Sequence, residues 1–141
     1  MVINKFKNKK VLITGHTGFK GSWLTLFLKL AGAKIMGISL KPTTKPSFFK
    51  AINLSKGIRN NYLNILNRKK LENKIISFKP DFIFHLAAQP LITEAYTKSF
   101  LTWETNLIGT INILEIIKKL KKSCTCVLIT SDKCYENIEK R

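Results

Sequence analysis

The sequence predicts an α/β fold, a parallel sheet doubly wound with helices on both faces. Three observations predict it. Short β-branched, apolar runs alternate with segments of helical periodicity from end to end. The first such run passes directly into three closely spaced glycines and then into a helical segment. The chain has 141 residues, 45% of them hydrophobic and 10% aromatic, which suits one domain with a real core and excludes intrinsic disorder as the main state.

Each element follows from its residues. Val11–Thr14 is apolar and β-branched, a short buried strand. Phe19–Ala31 places Trp23, Leu24, Phe27, Leu28 and Ala31 at helical spacing, and Gly32 is a natural C-terminal stop. Lys34–Leu40 is the second strand. Pro42 and Pro46 make Lys41–Ser47 a loop. Phe48–Leu54 reads as a helical turn and Ile58–Leu63 as a third strand. Asn67–Phe78 carries Leu71, Ile75 and Ile76 on one helical face, and Asp81–Ala87 is a nearly continuous apolar fourth strand. Phe100–Leu120 reads as one long helix with Leu107, Ile111, Leu114 and Ile117 on one face. Cys124–Thr130 is the fifth strand. Right-handed crossovers then give the strand order 3-2-1-4-5. Eleven residues follow strand five, so the sheet is expected to be truncated there, with Cys126, Val127, Leu128 and Ile129 along an unpaired apolar edge.

Composition removes several function classes. The start is basic and then apolar, like a signal peptide, but its apolar stretch is only Val11–Ile13. No run approaches the roughly 18 apolar residues of a membrane helix, so no membrane partner is expected. Three cysteines, an odd number without framework spacing, suggest a reducing, cytoplasmic setting. Cys124 and Cys126 share one strand face but are too few to hold zinc, so no metal is expected. Lys and Arg total 25 against 8 Asp and Glu, a formal charge of +17. Such a field attracts anions. The lysines are spread along the whole chain, with clusters only at Lys7–Lys10 and Lys118–Lys122, which reads as compositional bias. Nucleic acid is therefore not the expected partner.

The glycines carry the chemistry. Strand one runs into Gly15-His16-Thr17-Gly18-Phe19-Lys20-Gly21, a G-x-x-G-x-x-G spacing at a strand-to-helix junction. Gly15 allows the tight turn, Gly18 lets backbone approach a pyrophosphate, and Gly21 lets helix pack on strand. The helix N-terminus offers free amides to phosphate. This is a Rossmann-type dinucleotide loop, and Gly15, His16, Thr17, Gly18, Phe19 and Gly21 are its candidate cofactor contacts. Strand two ends in Ser39, Leu40 and Lys41, without the acid that reads the ribose of NAD. Ser39 can bond a ribose hydroxyl and Lys41 can pair with a 2′-phosphate, so NAD and NADP both stay open. Asn64, after strand three, is a candidate for the adenine edge or an ordinary loop residue. His16 is bulky for its place in the loop; it either crowds the pyrophosphate or points outward. His85, in an apolar strand, reads as a core residue.

The strings "VLITGHTGFKGSWL", "HLAAQP", "TNLIGT" and "TSDKCY" resemble the extended short-chain dehydrogenase/reductase superfamily, and most of all its CDP-glucose 4,6-dehydratases. The stretches Gly15–Leu24 and Thr130–Tyr135 are the most specific, and "PTTKPSFF" at Pro42–Phe49 is similar to the family's loop after strand two. The resemblance covers essentially the whole chain. It implies nucleotide-sugar metabolism, including O-antigen sugar biosynthesis, and conversion of CDP-glucose to CDP-4-keto-6-deoxyglucose and water. Bound NAD takes a hydride from C4, the C6 hydroxyl leaves, and the hydride returns at C6.

The resemblance also implies residue roles. Ser131 matches the hydroxyl that bonds the C4 oxygen, although a Ser at a strand end is also an ordinary cap. Asp132 matches the acid that protonates the leaving hydroxyl, although an Asp there is also a common helix N-cap. Lys133 stands where the related dTDP-glucose dehydratases carry a glutamate base; a lysine removes the C5 proton only if its pKa is depressed. Ala87, Ala88 and Gln89 match the chain that passes the cofactor's ribose. Asn106 matches the superfamily Asn that holds the active-site water network. Thr130 lies at the end of strand five, where ligands lie in open α/β sheets.

The superfamily also uses a Tyr with a Lys four residues later. Here Tyr62 is followed at that spacing by Leu66, Tyr96 by Phe100 and Tyr135 by Glu139, so none fits. The pair and the sugar-nucleotide subdomain are expected beyond residue 141, which leaves residues 1–141 as an incomplete dinucleotide-binding domain. Three expectations follow. The chain is a dehydratase fragment inactive alone; or part of a split epimerase or dehydratase, completed by a C-terminal chain; or a stand-alone nucleotide- or polyanion-binding module. A homodimer and a complementing C-terminal chain both stay open as partners.

Overall fold

A computed structural model describes residues 2–131 of the chain. A 3-10 turn at Val2–Phe6 leads into β1 (Lys10–Thr14), α1 (Phe19–Leu30), β2 (Lys34–Ser39), α2 (Phe48–Ala51), β3 (Arg59–Tyr62), α3 (Arg68–Phe78) and β4 (Phe82–His85). There follow α4 (Ile92–Thr97), α5 (Ser99–Trp103), a π-helical turn (Glu104–Ile108), α6 (Gly109–Lys118) and β5 (Thr125–Leu128). The five strands form one sheet in the order β3-β2-β1-β4-β5, with every neighbouring pair parallel. This is the expected doubly wound fold and strand order.

The two-residue period of the strands divides the core between two faces. Leu12, Met36, Ile38 and Ile83 face Leu71, Ile75 and Phe78 of α3 and Ile113 and Ile116 of α6. Val11, Ile13 and Ile35 face the other way, onto Leu28 of α1. Each such buried side chain contributes about 1.5–3 kcal/mol relative to exposure. Asn67 caps α3 by accepting from the Lys70 N–H at 3.2 Å. Asp81 ties the amino ends of β1 and β4: it accepts the Lys10 main-chain N–H at 2.7 Å and pairs with Lys122 at 2.6 Å.

Two helical expectations are corrected. On α1 the buried residues are Gly21, Ser22, Thr25 and Leu28, whereas Trp23 and Phe27 are 51% and 47% exposed. The helix packs so closely on the glycine loop that only small side chains fit beneath it, and Trp23 instead stacks on Phe48 with ring centroids 4.4 Å apart. The expected long helix is present, continuous from Ser99 to Lys118, and the short α4 precedes it. Within it the wider π turn at Glu104–Ile108 shifts the helical phase between α5 and α6, so the face expected inside is not the face that is buried. Gly109, Asn112, Ile113 and Ile116 face inward. Leu107, Ile111 and Leu114, expected inside, are exposed, and only Ile117 packs on the core. Asn112 is accommodated because its Nδ2 donates to the Ile65 carbonyl at 3.1 Å. Strands β4 and β5 are also shorter than expected. Cys124 and Cys126 do share one face, against the core, where burial raises the Cys124 thiol to about 11.

Candidate dinucleotide site

The site is built at the carboxyl ends of β1, β2 and β4. Gly15 leaves β1 with φ +73 and donates its N–H to the Ile38 carbonyl at 2.9 Å. A side chain there is excluded twice: by the left-handed backbone, and by the Ala87 amide, 2.8 Å from where a Cβ would stand. Gly18 donates to the Gly15 carbonyl at 3.0 Å and starts α1. A Cβ on Gly18 would meet only that carbonyl oxygen, at 3.4 Å, so the space above it is open. At Gly21 a Cβ would run into the Gly15 carbonyl itself. No side chain caps the start of α1, and its first turn contains no acid. The first N–H groups of the helix are thus left for an anion. An uncapped helix start below an open glycine is the cradle that a dinucleotide's pyrophosphate requires, so the residues present fit the group.

Around the cradle, hydroxyls replace the missing acid. Thr17 donates to the Leu40 carbonyl at 2.9 Å and lies 2.8 Å from the Ser39 hydroxyl. Thr17 has one proton, so Ser39 donates to Thr17 and keeps its lone pairs for a ribose hydroxyl. Lys41 is exposed beside them. Asn64 is exposed and forms a local turn, its Oδ1 accepting from the Leu66 N–H at 3.0 Å, which leaves its amide NH2 and one Oδ1 lone pair for the adenine edge.

His16 takes neither of the two expected poses. Its ring is fully buried beneath the loop, with Nε2 donating to Asn60 Oδ1 at 2.6 Å and the ring edge-on to Phe49. Gly37 makes this possible, since a Cβ there would overlap the imidazole. His16 therefore pins the glycine loop to β3, and only its backbone faces the cradle. Burial holds its pKa below the ordinary value, against the pull of the Asn60 bond.

Ala87, Ala88 and Gln89 lie in the loop after β4, and Asn106 in the π turn. The two meet: the Gln89 N–H donates to Asn106 Oδ1 at 2.8 Å, and Asn106 Nδ2 donates to the Gln89 carbonyl at 3.1 Å. Asn106 thus acts through the loop's backbone, and the Gln89 side chain is held by Leu91 and Thr102. A relay that sequence reading missed supports the same loop. Ala87 donates to Thr14 Oγ1 at 3.2 Å, Thr14 lies 2.7 Å from His85 Nδ1, His85 Nε2 lies 3.1 Å from Thr110 Oγ1, and Thr110 donates to the Asn106 carbonyl at 2.7 Å. Thr110 has given away its proton, so Nε2 carries the hydrogen and Nδ1 accepts from Thr14. His85 is held neutral, its pKa lowered to about 4 by burial. It is a buried core residue, as expected. The only signal in the sequence was a histidine in an apolar strand; its register with Thr14 emerges from the pairing of β1 and β4.

Thr130 and Ser131 are exposed and follow β5, beyond the bond from the Ile129 N–H to the His85 carbonyl at 3.1 Å. Asp132 and Lys133 lie outside the described residues. Among the described residues no group of three His, Cys, Asp or Glu is placed to hold a metal ion, and no helix is long and apolar enough to cross a membrane.

A parallel sheet in this order, with a glycine loop at the carboxyl end of β1, defines a Rossmann-type α/β unit. The chain belongs to the GDP-mannose 4,6 dehydratase family, which matches residues 12–141. It is 43% identical over 136 residues to the CDP-glucose 4,6-dehydratase of Salmonella typhimurium, a match covering 96% of this chain and 38% of that protein. The fold is similar to an epimerase of Methanothermobacter thermautotrophicus, with TM-score 0.81 at 23% identity over 99% of this chain and 40% of that one. It is also similar to the UDP-glucose 4-epimerase of Thermus thermophilus solved in complex with NAD, with TM-score 0.69 at 27% identity over 79% of this chain and 34% of that one. The chain therefore spans well under half the length of these relatives, and corresponds to their N-terminal portion.

Proposed function

We propose that residues 1–141 form the NAD-binding part of a nucleotide-sugar 4,6-dehydratase that acts on CDP-glucose. The observation that carries the reading is the open, uncapped cradle at Gly18, joined to the 43% identity with a CDP-glucose 4,6-dehydratase. When bound, NAD supplies a hydride acceptor and donor. The chain's own part is to hold and orient it. The α1 amides bind the pyrophosphate, Ser39 accepts from a ribose hydroxyl, and the Asn106 clamp sets the path of Ala87–Gln89 past the ribose. Ser39 favours NAD; a preference for NADP would assign Lys41 to the 2′-phosphate. Thr130 and Ser131 sit at the edge where a sugar would reach the cofactor. In this proposal Ser131 bonds the C4 oxygen, Asp132 protonates the leaving C6 hydroxyl, and Lys133 serves as the C5 base.

No tyrosine in the chain has a lysine four residues on. Residues 1–141 with NAD and CDP-glucose are thus expected to release no 4-keto-6-deoxy sugar, since a positioned base alone is worth about 10²–10⁴-fold. Turnover by this chain alone would contradict the assignment of roles.

We further propose that the chain pairs with a second copy through α4–α6. Tyr96, Phe100 and Trp103 are 86%, 75% and 68% exposed there, beside Leu107, Ile111 and Leu114. Residues 91–117 hold three acids and one base in a chain of net charge +17, so this sector meets its own copy with least repulsion. Light scattering is expected to report a dimer at 0.15 M salt, where the Debye length is about 8 Å. Phe100→Glu with Trp103→Glu is expected to return the monomer. If Val127→Lys on the β5 edge does so instead, the strand edge is the contact.

A further inference from the structure

We propose that the amino-terminal edge of the sheet carries a second anion site, a cationic cleft that binds a diphosphate group, at the end of the strands opposite the glycine loop. Lys10, Lys34 and Arg59 are the first residues of β1, β2 and β3. Lys10 stands directly opposite Lys34, and Arg59 opposite Met36. Lys10 and Lys34 each lie two residues before the core residues Leu12 and Met36, so all three cations project on the α3 face. There they meet Phe78, with Lys10 Nζ 5.9 Å and Arg59 Cζ 5.6 Å from the ring centroid. The three cations and the ring line a cleft of about 390 Å³, walled by the small residues Ala33 and Gly57. The cleft is open to solvent, so an anion there would keep part of its hydration while meeting the three cations.

The cluster is uncompensated. Like charges placed directly opposite in a sheet destabilise it. Among the described residues none of the three cations lies within 4 Å of a carboxylate, and none donates a side-chain hydrogen bond to the protein. Asp81, at the same edge, is engaged by the Lys10 main-chain N–H and by Lys122. An anion with several negative oxygens neutralises the repulsion. Lys10 and Arg59 both rest on the Phe78 ring, which positions them in advance of binding, and the Arg59 guanidinium suits bidentate contact with phosphate. Free pyrophosphate and the diphosphate of a nucleotide share this chemistry.

The probe is inorganic pyrophosphate, titrated into the chain while its amide resonances are followed. Saturable shifts are expected at Lys10, Lys34, Gly57 and Arg59. Lys34→Gln with Arg59→Gln is expected to weaken binding about tenfold or more. Lys50→Gln with Lys69→Gln removes the same charge elsewhere and is expected to change affinity less than twofold. The first pair should also melt higher at low salt without anion, because it relieves repulsion, and this melt reports that the variant is folded. Saturating NAD should remove any pyrophosphate-induced shifts at Gly15, Gly18 and Gly21 and leave those at Lys10, Lys34, Gly57 and Arg59 unchanged. Equal losses in both pairs, or shifts spread over the exposed lysines, would overturn the site. Loss of the shifts at Lys10, Lys34, Gly57 and Arg59 on adding NAD would also overturn it and assign the binding to the glycine loop.

Discussion

Gly21→Ala is expected to destabilise the protein by about 3 kcal/mol or more, at the upper end of what overpacking costs. In an exposed helix the same change stabilises by up to about 1 kcal/mol, so the sign itself is diagnostic. The new methyl would enter the Gly15 carbonyl and lie 2.9 Å from the His16 Cα, both backbone atoms. No side-chain rotation relieves the overlap, so α1 must lift from β1. Gly18→Ala is the matched contrast. Its methyl would meet only the Gly15 carbonyl oxygen, at 3.4 Å, so the fold is retained. The methyl would occupy the space proposed for pyrophosphate, and NAD binding should fall tenfold or more. Urea unfolding and NAD titration of the two variants separate packing from ligand contact. Equal stabilities for Gly21→Ala and the parent chain would refute the packing account.

Stability is expected to fall by roughly 2 kcal/mol between pH 7 and pH 5, and by about 3 kcal/mol by pH 4. The source is His85, buried in the relay between Thr14 and Thr110 with its pKa lowered from 6.5 to about 4. The folded-state pKa is depressed, so between pH 6.5 and pH 4 the unfolded chain binds the proton and the folded chain does not. Stability is therefore intact above pH 6.5 and is lost as pH falls through this window. Protonation would place a hydrogen on Nδ1, where the ring now accepts from Thr14. His16, also lowered by burial, acts in the same direction. Urea midpoints at pH 7 and pH 5 measure the slope. His85→Gln should flatten much of it, and a flat profile in the parent chain would contradict the relay.

Most of the fold was legible in the sequence because it is written in local patterns. The alternation of apolar strands with helical segments fixed the sheet order, and Asn67 marked the start of α3. The glycine spacing located the cradle. What was illegible depends on phase and on long-range fit. Residues 100–120 carry isoleucine and leucine on more than one helical face, so periodicity did not decide which face is buried, and the π turn then reset the phase. Gly37 looks like an unremarkable strand residue until the His16 ring is placed against it. Asn60, Thr14 and Thr110 are ordinary polar residues in sequence; only the pairing of β1, β2, β3 and β4 brings them to the two histidines. The roles assigned to Asp132 and Lys133 rest on resemblance.

The central claim is that the loop at Gly15–Gly21 binds a dinucleotide. Titration of NAD into the chain, followed by calorimetry and by amide resonances, tests it most directly. The account predicts weak, saturable binding with shifts at Gly15, Gly18, Gly21, Ser39 and Ala87. The affinity should lie about ten- to a hundredfold below that of a site which adds one charge-assisted contact to the nicotinamide ribose. An absence of binding by both NAD and NADP at millimolar concentration, in a chain shown to be folded, would contradict it.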